Sequence, residues 1–413
     1  MDLLEKALRV KKSADILKGL STREKNEALL KIRESLERNR FRILEANDKD
    51  VKKARESGVR ESLIDRLKLT EKRMEGMLRM IDIVLSLRDP VGEVIGSWVR
   101  EDGLRISQVR VPIGAIGIIY ESRPNVTVDT TVLAIKAGNS VLLRGGSDAF
   151  NSNVEIVRAI KEGLKDSALP EECVEYVEDT SHEVVGEMLK LNGILDLIIP
   201  RGGSSLIKFV VENSTVPVLE TGVGNCHIFV DESADLERAI EIIDNAKTQR
   251  PGTCNAVETV LIHEKIAKRI LPPLVKRLEE KGVEIRGCER TRELVKVHPA
   301  TEKDWETEYL DLILAVKVVK DVDDAIQHIK KYSTGHSEAI LTENYTNARK
   351  FVNSIDSAAV YVNASTRLTD GGEFGFGGEM GISTQKLHAR GPVGLKELTT
   401  YKYVILGDYH IRR

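Results

Sequence analysis

The sequence predicts an α/β protein with two doubly wound parallel-sheet domains and a small β flap. Three observations carry that reading. Residues 1–90 hold only helical periodicity, residues 114–220 alternate strand and helix patterns, and a second alternating series starts at residue 225. Outside both series, "GLRISQVRV" (103–111) alternates like a protruding two-stranded ribbon, and "TYKYVIL" (400–406) offers an apolar edge strand.

The elements follow in order. Ser21 and Glu24 have capping-box spacing ahead of the apolar face Leu29, Ile32 and Leu36. "GAIGIIY" (114–120) reads as a buried strand, and Pro124 suits the first turn of a helix to Lys136, closed by Gly138 and Asn139. "SVLLR" (140–144) precedes a helix through Ile160, and "CVEYVE" (173–178) precedes one capped by Thr180 and Glu183. "LDLIIP" (195–200) leads to a helix after Gly203, and "VPVLE" (216–220) is the fifth strand of this series. Strands joined by helical crossovers run parallel. The second series comprises "NCHIFVD" (225–231), "ETVLIHE" (258–264), "DLILAVKVV" (311–319), "EAILT" (338–342) and "AAVYVN" (358–363). Six of the eleven residues in "GGEFGFGGEMG" (371–381) are glycine, as in a loop.

Composition narrows the function. The 413 residues carry a net charge of −3 with no long block of one sign, which argues against nucleic acid and anionic membrane. The longest strongly apolar run, "VPIGAIGIIY" (111–120), is too short to span a bilayer, and the charged amphipathic N-terminus lacks a signal-peptide core, so a cytoplasmic protein is expected. Cys173, Cys226, Cys254 and Cys288 form no C-x-x-C pair, and His263-Glu264 lacks the second histidine of a zincin motif. No metal site is expected.

Two stretches carry candidate chemistry. Cys254 follows the Pro251-Gly252-Thr253 turn beside Arg250, where the turn would expose the thiol and the cation would favour its thiolate. Spacing alone leaves it open whether Cys254 is a nucleophile or a small buried hydrophobe, and Cys226 and Cys173 read as buried. Gly202, Gly203 and Ser204 stand where a strand turns into a helix, a place that can bind phosphate or be an ordinary turn. A Walker P-loop and a clean G-x-G-x-x-G are both missing.

Five longer segments go further. "YESRPNVTVD", "LETGVGNCHIFVDESADL", "NAKTQRPGTCNAVETVL", "YSTGHSEAILT" and "VNASTRLTDGGEFGFGGEMGISTQKLHARGPVGLKELTTYKYVI" together closely resemble the gamma-glutamyl phosphate reductase family of the aldehyde dehydrogenase superfamily. The resemblance runs from about residue 5 to the C-terminus. It implies an aldehyde dehydrogenase-like fold, with an NADP-binding domain at 1–99 and 111–225, a catalytic domain at 226–390, and an oligomerisation flap and C-terminal strand at 100–110 and 391–413. It implies NADPH-dependent reduction of L-glutamyl 5-phosphate to L-glutamate 5-semialdehyde in proline biosynthesis, through a thioester on Cys254 with Asn125 as an oxyanion donor. Arg144, Ser147, Gly202, Gly203, Ser204 and Glu308 fall at NADP(H) positions, and Arg123, Arg367 and His336 are candidates for the substrate phosphate. A homo-oligomer, and channelling with glutamate 5-kinase, are the implied partners. Glu220 occupies the place of a water-activating base, which keeps a non-phosphorylating aldehyde dehydrogenase as the alternative.

Overall fold

A computed structural model of the chain describes residues 2–59 and 61–412. It divides into two compact units, Met1–Thr221 with Gly375–Gly381 and Val393–Arg413, and Gly222–Phe374 with Ile382–Pro392.

In the first unit, five helices come first: α1 (Leu3–Leu17), α2 (Thr22–Arg38), α3 (Arg40–Glu56), α4 (Glu61–Leu67) and α5 (Glu71–Ser86). The Ser21–Glu24 capping box is formed at the start of α2, which buries Leu29, Ile32 and Leu36. After β1 (Val94–Val99) and β2 (Arg105–Pro112) the sheet series begins: β3 (Ala115–Tyr120), α6 (Pro124–Lys136), β4 (Ser140–Gly145), α7 (Phe150–Leu164), β5 (Val174–Tyr176), α8 (His182–Met188), β6 (Leu197–Arg201) and α9 (Ser204–Asn213). Strands β3 to β6 make a four-stranded parallel sheet in the order β5-β4-β3-β6. The first strand therefore lies inside, and the chain reverses direction across the sheet between β3 and β6. Such a switch point opens a crevice beyond the carboxyl ends of the strands. Ala7, Val10 and Ala14 of α1 join the apolar cluster with Ile119, Leu142 and Ile198, while α6 and α7 also pack on the sheet.

The fifth strand expected at 216–220 is not formed. Val218 makes a single bridge to Ile198, whose N–H donates to Pro217 O and whose carbonyl accepts from Leu219 N. Proline has no N–H to extend that ladder. The cap of α8 is also one residue later than expected: Ser181, not Thr180, accepts from Val184 N.

The second unit contains β7 (Cys226–Val230), α10 (Leu236–Thr248), β8 (Val257–His263), α11 (Glu264–Glu279), β9 (Glu284–Gly287), α12 (Glu289–Arg292), β10 (His298–Pro299), α13 (Glu302–Glu306), β11 (Ile313–Val319), α14 (Val322–Tyr332), β12 (Ser337–Leu341), α15 (Tyr345–Ser354) and β13 (Ala359–Val362). These strands form one parallel seven-stranded sheet, β10-β9-β11-β8-β7-β12-β13. Alternation along each strand feeds two cores. Ile228, Val230, Val260, Ile262, Val316 and Leu341 pack with α10 and α11. Phe229, Leu261, Val319 and Ile340 pack with α14 and α15 on the other face. The short β9 and β10 were not expected from sequence, because "EIRG" carries two charges in four residues. Two residue pairs, β14 (Ile382–Ser383) and β15 (Gly391–Pro392), complete the unit.

The last strand, β16 (Thr399–Leu406), returns to the first unit and pairs antiparallel with β2, giving the three-stranded sheet β1-β2-β16. The expected two-stranded ribbon is real in β1 and β2, and the C-terminal strand joins it.

Two helix glycines make a test of packing in the first unit. A Cβ at Gly163 of α7 would fall 2.6 Å from Lys31 O and 2.8 Å from Ile32 Cα of α2, whereas one at Gly76 of α5 meets nothing within 4 Å. Gly163→Ala should therefore cost about 1–3 kcal/mol by overpacking. Gly76→Ala should add about 0.5–1 kcal/mol through helix propensity. Urea unfolding of both variants checks the opposite signs.

Candidate active site

In the first unit Gly202, Gly203 and Ser204 lie at the switch point, and Arg144 and Ser147 lie at the end of β4. The turn after β6 exposes Gly202, Gly203 and Ser204, with Gly203 as the N-cap of α9. A Cβ at Gly202 would run into the Glu121 carboxylate and Leu206. The Gly203 N–H donates to Glu121 Oε2 at 2.9 Å, and Glu121 N donates to Arg201 O at 3.1 Å. The helix terminus thus already receives an anionic oxygen. A glycine-lined helix start of this kind suits an anion, and a phosphate there would have to displace the Glu121 carboxylate.

The turn after β3 carries the other residues of this region. Ser122 adopts φ 48°, its hydroxyl bonds the Asp148 carboxylate, and half-buried Arg123 is the N-cap of α6. Asn125 donates from Nδ2 to Asp129 Oδ2 at 2.8 Å, one helical turn on. Burial pushes the Asp129 carboxyl up to about 6, while Asn125 and the Arg201 charge pull it back. Ser147 is exposed in the turn after β4. Arg144 is buried, and its Nη2 donates to Thr180 O at 2.6 Å and Ser181 O at 2.9 Å. Any phosphate at Arg144 would compete with those carbonyls. Glu220 is half-buried on the segment after α9.

In the second unit Cys254 lies on the loop between α10 and β8, half-buried. The element before it in the chain is the C-terminus of α10, and not the helix N-terminus that would lower a thiol pKa. Arg367 lies close enough for its charge to interact with Cys254 and with Arg250. Its guanidinium donates from Nε to Gln249 Oε1 at 2.9 Å and from Nη1 to Asn255 Oδ1. Asn255 Nδ2 donates to Thr369 O at 2.9 Å, and Thr253 Oγ1 to Arg250 O at 2.8 Å. The loop is therefore tied down on both sides of the thiol.

Its backbone is held as closely. The Cys226 thiol donates to Cys254 O at 3.1 Å. The Gly224 backbone lies so near that any Cβ there would overlap the Cys254 carbonyl. Gly224 N donates to Glu308 Oε1 at 2.7 Å, and the Asn225 amide holds Trp305 O and Tyr332 O. Cys254, Gly224 and Glu308 all precede their strands, so this site lies at the amino end of the parallel sheet. His336 is fully buried, 3.7 Å from Cys226 Sγ and 2.8 Å from Ser337 Oγ by Nδ1, and burial pushes it down to about 4. Such a ring is neutral and presents no charge to a phosphate. Burial likewise raises the Cys226 thiol well above its ordinary range, which sets it apart from a reactive thiol.

Gly224, Asn255, Glu121, Lys247 and Glu258 were not singled out from sequence. Glu258 alone left a signal, as a charge within a strand whose seven residues are all buried. Among the described residues no group of three or more His, Cys, Asp or Glu could hold a metal, and no helix is long and apolar enough to cross a membrane.

A loop cysteine at one parallel sheet and a glycine-lined helix start at another define an oxidoreductase of the aldehyde dehydrogenase class. The chain belongs to the aldehyde dehydrogenase family, whose profile matches residues 3–292 and 294–404. Full-length relatives narrow this to the gamma-glutamyl phosphate reductases. The gamma-glutamyl phosphate reductase of Thermotoga petrophila is 67% identical over 412 residues, covering 100% of this chain and 99% of that protein. The crystal structure of gamma-glutamyl phosphate reductase from Thermotoga maritima superposes with a TM-score of 0.97 at 67% identity, covering 100% of both chains. An acetylating aldehyde dehydrogenase from Geobacillus thermoglucosidasius shares the fold, with a TM-score of 0.72 at 16% identity over 99% of this chain and 97% of that one.

The Gly224 contact gives a direct test. Gly224→Ala must displace the Cys254 backbone, and a shift of about 1 Å at a reacting group can cost ~100-fold in rate. Gly186→Ala, with nothing within 4 Å of its Cβ, should leave turnover unchanged. Equal turnover in the two variants, both folded by circular dichroism, would show that the contact does not hold the thiol.

Proposed function

We propose that the chain catalyses the NADPH-dependent reduction of L-glutamyl 5-phosphate to L-glutamate 5-semialdehyde and phosphate, a step of proline biosynthesis. The observation that carries the proposal is Cys254, held by its own backbone on an arginine-flanked loop, in a chain 67% identical over its length to a gamma-glutamyl phosphate reductase.

The chemistry follows from the groups present. An acyl phosphate is activated towards a thiolate, and the flanking cations Arg250 and Arg367 favour that ionised form of Cys254. Attack forms a C–S bond, breaks the C–O bond to phosphate and leaves a thioester on Cys254. The nicotinamide, when bound, supplies the hydride that reduces this thioester. Collapse of the resulting thiohemiacetal releases the aldehyde and restores the thiolate. Both tetrahedral species need hydrogen-bond donors, the roles given to the Cys254 N–H and the Asn125 amide. Arg123 and Arg367 are assigned to the phosphate of the substrate, as forks suited to its oxygens.

Gly202, Gly203 and Ser204 are assigned to the dinucleotide pyrophosphate and Glu308 to the nicotinamide ribose. Preference for NADPH rests on Arg144 and on Ser147, which stands where an acidic residue would repel a 2′-phosphate. Arg144 would have to leave the carbonyls of Thr180 and Ser181 to take part. The flap exposes Trp98, Tyr401, Tyr403, Ile405 and Leu406, each at least 48% accessible, on a sheet with edges at β1 and β16. Apolar edges of this kind invite pairing, so the chain is proposed to be a homo-oligomer. Light scattering at micromolar concentration should give a multiple of the chain mass, reduced when residues 400–413 are removed; a monomeric full-length chain would refute the assignment.

The acyl acceptor separates the proposed reaction from a hydrolytic dehydrogenase. Run in reverse with NADP, oxidation of glutamate 5-semialdehyde should require added phosphate and saturate with it. Glu220→Gln should spare that reaction, because ionised phosphate needs no water-activating base. Cys254→Ser should lose several orders of magnitude in turnover, and Cys226→Ser should keep most of it. Steady turnover without phosphate that Glu220→Gln abolishes would establish the hydrolytic enzyme instead. No NADP-linked turnover in the native chain would leave a cofactor-binding protein without catalysis.

A further inference from the structure

Lys247 and Glu258 form an ion pair at the base of the Cys254 loop. Lys247 is the penultimate residue of α10, and Glu258 the second of β8, so residues 249–256 with Cys254 lie between them. Nζ and Oε2 are 2.6 Å apart, and both side chains are 0% exposed. Taking two charges out of water costs several kcal/mol each, and the attraction rarely returns a net gain in stability. Stability alone is therefore a poor reason for this pair.

Its remaining bonds lead to the other half of the site. Glu258 Oε1 accepts the Leu310 N–H at 3.1 Å, fixing a residue at φ 53°. The Lys247 ammonium stands 5.9 Å from the centre of the Tyr309 ring, with the Arg286 guanidinium 5.3 Å from the same ring. Tyr309 OH donates to Asp304 Oδ1 at 2.7 Å, and Arg286 Nη1 donates to that oxygen at 2.8 Å. Between these anchors is Glu308, whose carboxylate accepts from Gly224, the residue pressed on the Cys254 carbonyl. Nucleophile loop, Gly224 and Glu308 thus close a circuit, and the buried pair joins it at both ends.

We propose that Lys247 and Glu258 are positioning residues: their pair locks the two stems of the Cys254 loop to each other and, through Leu310, to the segment bearing Glu308. The inference rests on Cys254 being the nucleophile. Its effect is on placement, so it should appear in kcat and in thiol reactivity before it appears in folding.

Carbamidomethylation by iodoacetamide, located by mass spectrometry, reads the thiol without any assumption about substrate. In the native enzyme, labelling of Cys254 should proceed in step with inactivation. In Glu258→Gln and Lys247→Met, kcat should fall ~10- to 100-fold and the rate constant for Cys254 labelling should change several-fold. Lys25→Met is the comparison, since the Lys25–Asp89 pair of the other unit is also buried, at 2.5 Å with 1% and 7% exposure. It should lower the melting temperature while leaving kcat and labelling within twofold. Should the single variants not fold, the double replacement Lys247→Met with Glu258→Met removes both charges, a change that buried pairs tolerate. A folded, slow double variant supports the inference. Native-like kcat and labelling in folded variants would overturn it, as would activity losses that track melting temperature equally in all variants, or a double variant that does not fold. Labelling at Cys254 that leaves the native enzyme active would overturn the nucleophile assignment, and this inference with it.

Discussion

The carbonyl of Cys254 is the point on which the loops of the second unit converge. It accepts the Cys226 thiol from one side and lies against the Gly224 backbone, where a single added carbon would overlap it. A residue on a loop would ordinarily share the mobility of loops. Here its carbonyl is held by the Cys226 thiol and the Gly224 backbone, and the residue as a whole is half-buried. Cys226 is buried, whereas Cys254 is half-buried. The Cys226 sulfur serves as a donor to the loop backbone.

From that point the restraint spreads through polar groups. Asn255 and Arg367 tie the loop to the segment after β13, Glu308 ties Gly224 to the segment before β11, and the Lys247–Glu258 pair closes the stems. Apolar contacts set the sheet and its two cores, yet they are non-directional and leave loops free to slide. Hydrogen bonds and ion pairs have fixed geometry, so they settle where the thiol and the carboxylate stand.

The two units use parallel sheets in opposite ways. In the first, the candidate nucleotide residues lie at the ends of β4 and β6, the carboxyl ends of the strands and the usual place for a ligand in an open α/β sheet. In the second, Cys254, Gly224 and Glu308 precede β8, β7 and β11, at the amino end of the sheet. Helix dipoles of the crossover helices cannot serve an anion there in the usual way. The positive charges close to the thiol there are the side chains of Arg250 and Arg367.

Local sequence was enough for whatever depends on neighbours along the chain. The capping box at Ser21, Pro124 at the first turn of α6, the buried strands at 115–120 and 226–230, and the turn that brings Cys254 to the surface are set by side chains a few residues apart. The long motifs singled out Cys254 and the family. What only the tertiary structure decided depends on groups far apart in the chain. Arg144 was legible as a cation, but the carbonyls it bonds come from residues 36 and 37 positions away. His336 was legible as a histidine, but its neutrality comes from complete burial beside Cys226, 110 residues distant. Strand 216–220 failed because its pairing partner across the fold met a proline. A sequence pattern records which side chains are present and how they repeat, whereas desolvation and hydrogen-bond partnership arise only when separate segments are packed together.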